Sequence, residues 1–215
     1  MRRIGDSFRV DYETISVLKP DLMLAWQSGN PVELVDRLRT LGYRIVELEP
    51  YRLEDIAAHI VTIGELAGTS DVAAQSASQF LEQLAALRER YAGASIVRVF
   101  YQIAAQPYFT ITGKHVISEA IVLCGGKNIF ADIPGLAPSV TKEAIIATDP
   151  EAIIASVSSV DQSWQAGWSG WESVSAVARG NLYGINRDLI SRSGPRVIEG
   201  VRQICEALDE ARNKP

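Results

Sequence analysis

Residues 19–41 read KPDLMLAWQSGNPVELVDRLRTL, and two different periodicities meet in them. Residues 21–25 are a short, mostly apolar run behind a proline, the pattern of a strand covered on both faces. From Asn30 onward the repeat lengthens to that of a helix. Asn30 is placed to cap it, Pro31 to open its first turn and Glu33 to complete a capping box, while Leu34, Val35, Leu38 and Leu41 form one apolar stripe that stops at Gly42. Trp26 stands at the junction, at the carboxyl end of the strand. Open α/β sheets bind ligands at that edge, and an exposed flat indole there suits a large flat ligand.

The same alternation continues outward from this stretch. Residues 44–49 (RIVELE) read as a strand, and residues 53–67 as a helix with Ile56, Ile60, Ile63 and Ala67 on one face and Gly68 as its stop. Residues 71–91 carry Phe80, Leu84, Leu87 and Tyr91 on one stripe with no Gly or Pro inside. A helix of that length runs ~30 Å, and with Ser70 as cap and Gly93 beyond its end it is a candidate rigid connector between two lobes. Then follow a strand (96–103), a loop QPYFTITGK (106–114), a helix (115–124) closed by Gly125 and Gly126, and a short helix (141–147). A strand (151–157), a Trp-rich stretch (164–177), a last strand (181–186) and a helix (195–211) striped with Val197, Val201, Ile204 and Leu208 complete the chain. Strands alternating with helices predict an α/β fold with mostly parallel sheets. The two strand–helix units ahead of the long helix make a poor independent core, which predicts that this first part is incomplete by itself.

Composition narrows the function. The 215 residues are 47% hydrophobic with a net charge of -5 and no cluster of Lys or Arg, so neither nucleic acid nor an anionic membrane is an expected partner. No apolar run approaches a membrane span, and MRRIGDSFRVDYE has no apolar core behind its arginines, so it is not a secretory signal as it stands. GxSxG, P-loop and GxGxxG patterns are missing, and no Cys or His cluster has metal-ligand spacing; neither a catalytic cofactor nor a metal is expected. His59 reads as a surface or boundary residue, His115 as a first-turn polar residue, and the Gly125–Gly126 pair as a helix stop rather than a phosphate loop. The two cysteines, Cys124 and Cys205, fit buried reduced thiols or one long-range disulfide.

What remains is a set of residues at strand carboxyl ends: Trp26, Tyr108, Phe109, Asp188 and Arg192. Each has a plainer reading, the aromatics as hydrophobic plugs and Asp188 with Arg192 as a local ion pair of little energetic worth. Their shared placement favours a common ligand site. Trp164, Trp168 and Trp171, spaced four and three apart, read as a core stripe, while Gly167 and Gly170 leave a partly exposed loop as the alternative.

The segment VDYETISVLKPDLMLAW, followed by GN and a helix, resembles the amino-terminal lobe of periplasmic substrate-binding proteins of ABC importers, in the cobalamin and iron-siderophore class. RVFYQIAAQPYFTITGK, LCGGKNIFADI, PSVTKEAIIATDPEAIIAS and RSGPRVIEGVRQICEAL resemble successive blocks of the carboxyl-terminal lobe in its cobalamin-binding members, in order and over nearly the whole chain. The resemblance implies two Rossmann-like α/β lobes joined by one long helix, here a partial amino-terminal lobe (1–70), a connecting helix (71–93) and a carboxyl-terminal lobe (94–215). It implies a monomeric, non-catalytic periplasmic protein that captures cobalamin or a related corrinoid in an inter-lobe cleft and delivers it to an ABC importer permease. By this resemblance Trp26 and Phe109 line the pocket and Asp188 and Arg192 stand beside the corrin edge, while Tyr108 joins the ligand-binding set through its place at a strand's carboxyl end. Glu143 matches the acid that docks onto permease arginines, Glu33 lies one position from its amino-lobe counterpart, and Cys124 and Cys205 stand where these proteins have their single disulfide. One family tryptophan is replaced here by Ala137, and the first strand, helix and second strand of the lobe and the export signal have no counterpart, so the chain reads as one that begins inside its first lobe. The alternatives are a ferric siderophore or haem carrier, or a cytosolic α/β enzyme or interaction domain, which would keep both thiols free.

Overall fold

The computed structural model describes residues 3–6, 8–158 and 163–214. The chain divides between Glu49 and Pro50 into two compact units. In the first, helix α1 (Tyr12–Leu18) is capped by Asp11, whose side chain accepts the Thr14 N–H. Strand β1 (Met23–Trp26), helix α2 (Val32–Thr40) and strand β2 (Ile45–Leu48) follow. The two strands pair in parallel, Met23 opposite Ile45 through to Trp26 opposite Leu48. Among the described residues this sheet has two strands, and β1 alternates between half-buried and exposed residues instead of being covered on both faces, with Leu24 50% exposed. The expected Asn30–Glu33 capping box is also corrected. Pro31, whose side chain has no acceptor, is the N-cap of α2, and Asn30 Oδ1 turns back to accept the Trp26 N–H at 2.7 Å.

The second unit opens with α3 (Leu53–Leu66) and the 22-residue α4 (Ser70–Tyr91). Strand β3 (Val97–Gln102), the two-residue strands β4 (Ala104–Ala105) and β5 (Tyr108–Phe109), helix α5 (Val116–Leu123) and strand β6 (Gly126–Asn128) come next. They are followed by β7 (Ser139–Val140), α6 (Lys142–Thr148), β8 (Ala152–Val157) and a 3-10 turn (Ser163–Trp168). Helix α7 (Ser175–Ala178), strand β9 (Leu182–Asn186) and helices α8 (Arg187–Ile190) and α9 (Val197–Asn213) complete it.

Its main sheet is parallel, in the order β6-β3-β8-β9, and the alternation along β3 sorts side chains onto two faces. Val97, Val99 and Tyr101 face one way, into an apolar layer with Ile154 of β8 and the inner faces of α3, α4, α5 and α9. Phe100 faces the other way, with Ile153, Phe130, Ile145 of α6 and Trp168. Helix α4 buries Ala77, Phe80, Leu84, Leu87 and Tyr91 in the first of these layers. The stripe read from sequence is therefore its packing face on this unit. Arg88 of α4 joins Glu54 of α3 and Glu119 of α5, and Glu119 Oε2 accepts the Leu53 N–H at 2.6 Å.

Gly125 and Gly126 do more than end a helix. Gly125 holds a left-handed φ of 75°, and Gly126 begins β6 in a space where a β-carbon would fall 2.5 Å from Ile121 Cγ2. Cys124, the C-cap of α5, is bonded to Cys205 of α9, with their Cα atoms 4.7 Å apart. The reduced-thiol reading is thereby set aside, and His115 is the N-cap of α5, its Nδ1 accepting the Ile117 N–H.

Candidate functional site

Trp26 closes β1, and parallel pairing with β2 brings Glu49, the residue after Leu48, to the same sheet edge. The indole Nε1–H donates to Glu49 Oε1 at 3.3 Å, and the other oxygen of that carboxylate accepts the Ser28 N–H at 2.7 Å. Gly29 lies against the ring: a β-carbon there would fall 1.8 Å from indole Cε3. The indole is thus tethered at one edge, backed on one face and still 51% exposed.

The remaining candidates belong to the second unit. Strand β5 pairs antiparallel with both β4 and β7, so the loop expected at 106–114 contributes the middle strand of a small sheet at the carboxyl end of β3. Successive residues of a strand point to opposite sides. Tyr108 turns inward, with ring centroids 6.3 Å from Phe100 and 5.5 Å from Trp168, and burial pushes its phenol above the ordinary range. Phe109 is 37% exposed. An aromatic plug and an aromatic available to a ligand stand side by side.

Trp168 is fully buried among these rings and donates its Nε1–H to Gln102 Oε1, the last residue of β3, at 3.0 Å. The helical stripe expected of the three tryptophans is replaced by a 3-10 turn and a bend at Gly170, whose φ is 81°. Trp164 packs partly buried beside this cluster, and Lys142 stands 4.0 Å from the Trp171 ring centre with its ammonium donating to Gly167 O at 2.9 Å. Burial beside the indoles pulls the Lys142 ammonium below its usual range against the opposing pull of Glu143.

Asp188 and Arg192 follow β9 and form an exposed ion pair at 3.0 Å, while Ser191 meets Ser156 of β8 at 3.2 Å between hydroxyl oxygens. Within this unit Phe109, Asp188 and Arg192 therefore sit at the carboxyl edge of one parallel sheet. Glu143 is exposed in the first turn of α6, behind Thr141, whose side chain accepts the Ala144 N–H. Glu33 is exposed in the first turn of α2, and Ala137 is exposed ahead of β7. Among the described residues, no group of His, Cys, Asp and Glu is arranged to hold a metal ion, and no helix is long and apolar enough to cross a membrane. Sequence reading missed Glu49. The signal was present, since a parallel partner to the strand ending at Trp26 delivers its own following residue to the same edge.

Residues 3–189 match the periplasmic binding protein family. A vitamin B12-binding protein of Vibrio cholerae serotype O1 is 32% identical over 215 residues, which is 100% of this chain and 77% of its own length. One from Yersinia pestis is 35% identical over 201 residues, 93% of this chain and 69% of its own. The crystal structure of the periplasmic vitamin B12-binding protein of Vibrio cholerae matches with a TM-score of 0.91 at 32% identity, over 100% of this chain and 84% of that one. A periplasmic haem-binding protein solved with two haems shares the fold at a TM-score of 0.80 and 19% identity, over 97% of this chain and 82% of that one.

Proposed function

The chain belongs to the periplasmic binding protein family, and from that premise we propose that it captures cobalamin or a related corrinoid in the periplasm and delivers it to an ABC importer, with no reaction of its own. The observation that carries this reading is the likeness to vitamin B12-binding proteins along the whole chain, at 32% identity and a TM-score of 0.91. The haem-binding relative shares the fold at an identity too low to carry its ligand over. The chain acts as a monomer, without nucleic acid.

Chemistry supports the choice. A corrin is a wide ring with apolar faces and amide arms at its rim. The Trp26 and Phe109 rings offer it flat contact, while Asp188 and Arg192 offer an acceptor and donors to amides. Tyr108 acts from behind, setting the strand that presents Phe109. Glu143 and Glu33 are the acids we assign to docking on permease arginines. The division into a partial lobe (1–70), a linking helix (71–93) and a second lobe (94–215) belongs to the same proposal.

Titration of the purified protein with cyanocobalamin, haemin and a ferric siderophore, followed by ligand absorbance, tests the reading. Cyanocobalamin should bind most tightly, and Trp26→Ala should weaken it by about 1–3 kcal/mol through lost contact area. Tighter haemin or siderophore binding, or an unchanged Trp26→Ala affinity, counts against it. Glu143→Ala should bind cyanocobalamin like the wild type and fail in importer-dependent uptake; normal uptake removes the docking assignment.

A further inference from the structure

A half-exposed tryptophan ordinarily keeps rotational freedom about its two side-chain torsions, and a ligand that stacks on it must bear the cost of stopping that motion. Within the first unit the ring is held beforehand at its Nε1–H edge and backed by Gly29, on a backbone that is itself fixed. Glu49 receives the indole Nε1–H on one oxygen and the Ser28 N–H on the other, so one carboxylate holds both the ring and the turn beneath it. Asn30 Oδ1 fixes the Trp26 backbone through its N–H. Gly29 lets the ring lie where any β-carbon would collide with it.

We propose that Glu49 is a positioning residue for the ligand, acting through Trp26. It sets the plane of the indole, and by occupying the ring's one hydrogen-bond donor it leaves Trp26 only an aromatic face to offer. The surface that meets Trp26 is therefore a flat, weakly polar ring face, while amide arms find their partners elsewhere. This inference rests on the corrinoid reading. The chemistry of the position is narrow: aspartate is a methylene too short to reach both donors, and glutamine must turn an NH2 group toward one N–H or the other.

The test uses the full chain labelled with 5-fluorotryptophan, in which Trp26→Phe assigns one fluorine resonance among those of the four tryptophans. Glu49→Gln, and independently Gly29→Ala, should shift or broaden the Trp26 resonance and leave those of Trp164, Trp168 and Trp171 in place. Each should weaken cyanocobalamin binding about three- to tenfold, a factor in the range of a lost hydrogen bond. In the Trp26→Phe background Glu49→Gln should add less than a twofold loss, because its effect passes through the indole. An unmoved Trp26 resonance in Glu49→Gln, unchanged affinity, or a loss that persists in the Trp26→Phe background overturns the role of Glu49. A wild-type chain that leaves cyanocobalamin unbound instead overturns the corrinoid reading, while the resonance still reports whether Glu49 fixes the ring.

Discussion

Asp149 shows how much one side chain can join. It ends α6 in a left-handed conformation with φ of 44°, and its N–H bonds back to Ile146 O. Its carboxylate accepts the Ser175 N–H and hydroxyl, both at 2.7 Å, satisfying the first turn of α7, while its carbonyl receives the Arg98 guanidinium. The bonds from the Ser175 N–H, then its hydroxyl, hold the carboxyl below its ordinary value. A carboxyl whose folded pKa is depressed contributes stability fully above the unfolded value of about 4 and loses it as pH falls through the folded one. Asp149→Ala should therefore cost about 1 kcal/mol at neutral pH, since the carboxylate is half exposed and screened. Thermal melts from pH 6 downward should show the wild type and Asp149→Ala converging as acid protonates the wild-type carboxyl. The sequence announced an end to the helix near this point, but the cap on α7 lies 26 residues away along the chain and leaves no local mark.

Elements with their own periodicity were legible, and elements that exist through a distant partner were not. The stripes of α4 and α9 read directly as burial faces, whereas in α3 the buried set is Leu53, Ile56, Ala57 and Gly64, with Ile60 and Ile63 half-buried and Ala67 exposed. Strands β4, β5 and β7 are two residues each, too short for any alternation, and β5 finds β7 some thirty residues on. The tryptophans misled because a spacing of four and three implies one helical face only while a helix persists, and Gly167 and Gly170 interrupt it. What matters in that segment is Trp168, whose Nε1–H satisfies the buried Gln102. Trp168→Phe keeps an aromatic in place but strands the Gln102 oxygen, so we expect a loss of about 1–3 kcal/mol in urea denaturation. Since Gln102 ends β3 and Tyr108 rests on Trp168, the same variant should also loosen hydrogen-exchange protection at the amides of β5.

On the scale of the whole chain, the resemblance of ordered blocks carried the reading to family and ligand class, whereas the burial of α3 and α4 in the layer beneath the main sheet depends on packing that no local motif encodes. The disulfide joins residues 81 apart and ties α5 to α9 across that layer. Under the chain-entropy account, Cys124→Ser with Cys205→Ser should lower stability by about 2–4 kcal/mol, and reductant should lower the wild type similarly in urea melts while leaving the double variant unmoved. The Arg212 guanidinium, which donates to Cys124 O and to Ser95 O, should hold the ends of α5 and α9 together in part after reduction. The same bond fixes the fate of a damaged molecule. A protease that cuts anywhere between Cys124 and Cys205 leaves two pieces still covalently one, so a nicked population keeps its full mass on a non-reducing gel and separates into fragments only when thiol is added.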